Sequence, residues 1–189
     1  LASSLAGTPS NAMAVFAVAG DDDDIIHAGV KHLADFLHML GNPVAVIDST
    51  GSTSMTRSLN LSYPLGILDV QRTLAVCAED GVAAVIIAMN NATLQREALE
   101  SVNVDVLGSE RVAQGEDVAS LKTRYAFVSD RALALTVPTG ESDELAAESP
   151  AMFDQDRLGH MSLAVAMVLA AGVRRNNVRS ALRVANNLR

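Results

Sequence analysis

Met13-Ala14-Val15-Phe16-Ala17-Val18-Ala19-Gly20-Asp21-Asp22-Asp23-Asp24 is the stretch that decides the fold. An apolar run stopped by Gly20, with helical spacing beyond the aspartates through Val30, Leu33, Phe36, Leu37 and Leu40, reads as strand, turn and helix. That is the setting of a phosphate-cradling G-x-x-x-x-G-K-[ST] loop. Here four carboxylates fill it and Lys is missing. Backbone N–H groups and a Lys attract phosphate, whereas adjacent Asp side chains repel it. The stretch describes a nucleotide-binding scaffold without its phosphate chemistry.

Outward from this point, short apolar runs alternate with helical patterns, as in βα units around a mostly parallel sheet. Strands are expected at 14–19, 43–47, 83–88, 104–107 and 133–137, and helices at 29–40, 68–79, 94–101, 116–125, 156–171 and 176–187. Gly41-Asn42-Pro43 stops the first helix. Two polar stretches, 48–63 and 138–150, read as loops, the first long enough to serve a function. The expected architecture is a three-layer α/β/α domain spanning 13–189, preceded by a flexible leader at 1–12. Ser10-Asn11-Ala12 ahead of Met13 looks like the remnant of a cleaved tag.

The 189 residues suffice for one real core, and no apolar run approaches the ~20 residues that span a bilayer. No charged n-region with an apolar h-region opens the chain, so a cytoplasmic, membrane-free protein is expected. A formal net charge of −8 argues against a nucleic-acid partner, which requires clustered cations. Arg174, Arg175, Arg179, Arg183 and Arg189 read as the solvated face of a last helix. Cys77 is alone, which excludes an internal disulfide framework and a Cys-based zinc site, and its apolar neighbours place it in the core.

The order of several motifs resembles the ATP-dependent Mur ligases, specifically the central domain of the tripeptide-synthetase and cyanophycin-synthetase-like branch. Val15 to Gly20 is similar to that family's first strand and the first Gly of its loop. Ser62-Tyr63-Pro64, with Leu68, Val70-Gln71 and Gly81-Val82, resembles its Thr-Thr-Pro, Leu-Gln and Gly-Val sequence. Thr93 to Leu99 looks like the stretch after its central acidic strand, and Gly159-His160, Leu163 to Ala166 and Ala170 to Val173 resemble its closing helices. The resemblance implies a P-loop-NTPase-like topology.

The functional residues of that family transfer poorly. Its phosphate loop uses Gly-Lys-Thr or Gly-Lys-Ser, where this chain has Gly20 and Asp21 at the degenerate phosphate-loop position and no Lys through Ala28. Its magnesium-binding Glu is matched by Asn90-Asn91, and amides bind Mg²⁺ far less well than a carboxylate. Its Asp-His pair, its Asn-x-Asp-Asp motif and the base-contacting Asn have no counterpart, the last being replaced by Met161 after His160. Lys122 stands where the resemblance implies a modified, metal-bridging Lys, although a lone Lys on an amphipathic helix is ordinarily exposed. No C-terminal ligase domain follows within the 189 residues.

The leading expectation is therefore a non-catalytic Mur-ligase-like module, a pseudoenzyme that needs no cofactor and binds or scaffolds a protein partner. One alternative makes Asp22, Asp23, Asp24 and His27, together with Asp21, a divalent-cation site of a metal-dependent enzyme. The competing account of those aspartates is helix capping and interaction with the helix dipole. Another alternative is one part of a split ATP-dependent amino-acid ligase. His32 and His38 read as surface histidines, and Gly51 to Ser54 with Arg57 reads as a polar loop in preference to an anion nest. Met161, Leu163, Val165, Met167, Val168 and Leu169 form a run apolar nearly all round, through which a homodimer is expected.

Overall fold

The computed structural model describes residues 12–149 and 155–184. Its strands are β1 (Ala14–Ala19), β2 (Val44–Ile47), β3 (Ser52–Ser54), β4 (Arg57–Leu59), β5 (Ala84–Ala88), β6 (Val106–Ser109) and β7 (Leu135–Thr136). Its helices are α1 (Asp23–Met39), α2 (Ile67–Glu79), α3 (Val118–Tyr125), α4 (Gly140–Ala147), α5 (Gln155–Ala170) and α6 (Arg175–Val184). One sheet runs β4-β3-β2-β5-β1-β6-β7. The pairs β2–β5, β5–β1, β1–β6 and β6–β7 are parallel, while β3 and β4 add an antiparallel edge.

The central strand explains why the sheet is covered on both faces. β1 is apolar at every position, so neither face can meet water, and its alternate side chains feed two separate cores. Val15, Ala17 and Ala19 join Val70 and Leu74 of α2 and Leu121 and Tyr125 of α3. Phe16 and Val18 join Val30, Leu33, Phe36 and Leu37 of α1 and the apolar side of α5 and α6. The result is the expected three-layer α/β/α arrangement. No described helix is long and apolar enough to cross a membrane.

Several expectations need correction. The helix placed at 94–101 is a series of turns, with Glu97 and Ser101 both at φ +62°. Long-range partners displace the helical ladder there: Gln95 N–H donates to the Leu65 carbonyl at 2.9 Å, Glu97 N–H to Arg124 at 2.8 Å and Leu99 N–H to Tyr125 at 2.9 Å. Within the expected loop 48–63 lies the β3–β4 hairpin, and within 138–150 lies α4, whose N-terminus is closed by reciprocal Thr139 and Ser142 bonds. α1 begins at Asp23, a turn and a half before Gly29, because Asp22 caps it. β6 is shifted to Val106–Ser109, and β7 shrinks to Leu135–Thr136. The leader up to residue 11, and the last turn expected for the final helix, lie outside the described residues.

The proposed dimer surface on α5 is also corrected. Met161, Leu163, Val165, Met167 and Val168 are buried within the chain, and Leu169 is partly buried against the same core. α1, α4 and the sheet already cover this helix. Cys77 is buried as expected, and its burial pushes the thiol above its ordinary pKa.

Candidate functional site

In an open α/β sheet, ligands bind beyond the carboxyl ends of the strands, where successive connections leave on opposite faces. β1 leads into α1 on one face and β6 into α3 on the other, so the crevice belongs between Gly20 and Ser109. Here the chain itself fills that point. A Cβ added at Gly20 would stand 3.1 Å from the Arg111 carbonyl, to which the Ser109 hydroxyl donates at 2.7 Å. Gly20 thus permits the turn after β6 to lie against the turn after β1.

Only Gly20, Asp21 and Asp22 connect β1 to α1. Asp22 Oδ1 accepts from the Asp24 N–H at 2.9 Å and, more weakly, from Ile25 at 3.4 Å. These are the amides that a helix N-terminus otherwise offers to an anion. Asp23 accepts from the Asn90 side-chain amide at 3.0 Å, tying α1 to the end of β5. Asp21 and Asp24 are exposed, and the carboxylate that His27 approaches is Asp48, its Nδ1 lying 2.7 Å from Oδ1. Among the described residues no three His, Cys, Asp or Glu side chains are grouped to hold a metal ion. Asp22→Ala is expected to lower stability by about 1 kcal/mol through loss of the cap, read from the urea midpoint; an unchanged midpoint would show the cap to be energetically idle.

The remaining polar groups of this edge are likewise engaged. Asn90 Oδ1 accepts from the Thr93 N–H at 3.0 Å, and Asn91 Oδ1 from the Tyr125 hydroxyl at 3.0 Å. Burial holds the Tyr125 phenol above its ordinary pKa. Burial also raises Glu116, with Arg124 opposing the shift and the charge of Asp21 adding to it. Glu110, just past β6, pairs closely with His160 Nδ1 of α5, and His160 lies 5.2 Å, centroid to centroid, from His32 of α1. Gly159 makes room for this pair, since a Cβ there would fall 2.5 Å from Glu110 Oε1.

The 51–57 segment is part of the β3–β4 hairpin and is bonded inward. Ser52 Oγ accepts from the Asp48 N–H at 3.0 Å and meets the Tyr63 hydroxyl at 2.5 Å, while Ser54 and Arg57 both donate to Asp80. Those two donors, Ser54 first, hold the Asp80 carboxyl below its ordinary pKa. Lys122 is exposed on α3. Arg175 and Arg179 on α6 pair with Glu141 of α4 and with Glu148, which caps its C-terminus, contacts worth little at an exposed surface. Sequence reasoning missed Asp48 and Glu110. Each immediately follows or closely follows an apolar strand run, which is the signal that could have singled them out.

No protein-family profile and no curated protein sequence matches the chain. Among solved structures it is similar to a bifunctional folylpolyglutamate synthase/dihydrofolate synthase from Yersinia pestis, with TM-score 0.53 and 15% identity over 97% of this chain. The folylpolyglutamate synthase is a Mur ligase family member, and the fold described above is Mur-ligase-like. The chain spans 60% of that protein's length.

Proposed function

We propose that this chain is a non-catalytic Mur-ligase-like domain, acting as a binding or scaffolding module rather than as an ATP-dependent ligase. The observation that carries the reading is the turn from β1 to α1. It is too short to wrap a triphosphate, and its capping carboxylate already occupies the helix N-terminal amides. The residues present do not fit the nucleotide and magnesium that the fold suggests. Asn90 stands at the end of β5 with both ends of its amide bonded internally, and no Lys lies between Gly20 and Ala28.

Electrostatics supports the same reading. Asp21, Asp22, Asp23 and Asp24 are consecutive and exposed at this edge, and clustered carboxylates there oppose the approach of a polyanion. Calorimetric titration with MgATP at physiological magnesium tests the proposal. No detectable heat is expected; saturable binding at micromolar concentration would overturn it.

A further inference from the structure

A second, separate feature lies along the other side of α1. Between that helix and the β2–β3 edge runs an open groove of about 940 Å³. This volume is within the roughly 300–1,000 Å³ of sites for small molecules. Its wall follows α1 from His27 to His38, a length of roughly 16 Å at the helical rise per residue. Its floor is Val44 and Val46 of β2, both only partly buried against the α1 core, with Thr53 and Met55 alongside. Met55 is 48% exposed and adds an apolar side chain to the groove.

The end of the groove nearest the carboxyl end of β2 is polar and buried. Asp48 is 2% exposed. Its Oδ1 accepts from the Thr50 N–H at 3.1 Å and lies 2.7 Å from His27 Nδ1, while Oδ2 takes no hydrogen bond among the described residues. His27 Nδ1 is itself buried, and its approach to Asp48 lacks hydrogen-bond alignment. Oδ2 is not among the atoms sealed from solvent, and Asp48 lines the groove, so a donor entering there can reach the carboxylate oxygen that no described residue engages. Asp35 adds a second carboxylate to the wall, and Lys31 contributes one cation. An anionic head group would face both carboxylates; a cationic N–H donor complements them.

We propose that this groove binds an elongated amphipathic molecule bearing a protonated amine, its ammonium donating to Asp48 Oδ2 and its apolar body lying on Val44, Val46 and Met55. The site is distinct from the crevice between β1 and β6, and its occupancy does not depend on whether that crevice takes a nucleotide.

The test uses the full chain with octylamine, octanol and octanoate as probes, following backbone amide resonances of Val46, Asp48 and Thr53. Octylamine is expected to give saturable shifts there and to bind at least about tenfold more tightly than either of the other two, as expected for a charge-assisted hydrogen bond. Asp48→Asn is expected to remove that preference. Thr53→Trp, which places bulk on the floor and leaves the Asp48 carboxylate in the sequence, is expected to abolish binding by all three while the melting temperature is retained. Asp24→Asn, on the exposed N-terminus of α1, is expected to change nothing and so controls for attraction of amines to an acidic surface. Equal affinity for the three probes, binding that survives Thr53→Trp, or shifts scattered over the acidic surface would each overturn the assignment.

Discussion

Phe36→Ala is expected to lower the unfolding free energy by about 3–5 kcal/mol, the loss typical of deleting a buried aromatic ring. Phe36 is fully buried on the inner face of α1, in the core shared with β5, α5 and α6. The ring removed is large, and its surroundings are held by the sheet on one side and α5 on the other, so collapse of the cavity is limited. Native domains are stable by only about 5–15 kcal/mol, so this single change takes a large share. Urea denaturation followed by circular dichroism measures it. A loss below about 1 kcal/mol would mean that α1 does not pack as described.

Gly108→Ala is expected to cost about 1–3 kcal/mol, the range for overpacking a full core. A Cβ at this position in β6 would fall 2.4 Å from Met167 Sδ and 2.7 Å from Met167 Cγ. Met167 is flexible, but it is wholly buried and has no solvent to move into. Met167→Ala alone is expected to cost about 2–5 kcal/mol by leaving a cavity. In the double variant the new methyl occupies part of that cavity, so the losses are expected to fall short of their sum by roughly 0.5–3 kcal/mol. Strict additivity would contradict the contact between β6 and α5.

Much of the layer order was legible because it rests on apolar patterning alone. β1 matches its apolar run from Ala14 to Ala19, and α1 carries the stripe Val30, Leu33, Phe36 and Leu37 into the core as its spacing predicts. What could not be read depends on partners distant in sequence. Ser52–Ser54 and Arg57–Leu59 are polar and short, and become strands only because Ala45 and Val46 provide a pairing edge. The segment 94–101 has helical spacing, yet Leu65, Arg124 and Tyr125 take its amides. α4 was signalled by Thr139 and Ser142 at capping-box spacing, a weaker cue than the surrounding acidic residues.

The candidate site divides in the same way. The missing Lys and the four aspartates are visible in the sequence, and the capping role of Asp22 follows from its position before a helix. Their grouping with His27 was suggested by nearness in the chain. Helical spacing alone would allow His27 to approach Asp23 or Asp24, but its Nδ1 meets Asp48, just after β2, a partner distant in sequence that no local pattern reveals. The Glu110–His160 pair joins residues 50 positions apart and has no local signal.

The central claim, that the N-terminus of α1 is closed to phosphate by the chain's own carboxylate, is tested most directly at the amides Asp22 caps. Backbone resonances of Asp24 and Ile25 should be followed while MgATP, and separately inorganic phosphate, is added to millimolar concentration. The account predicts that both resonances stay where they are in the free protein. A saturable shift of either amide at micromolar MgATP, lost when the nucleotide is replaced by adenosine, would contradict it.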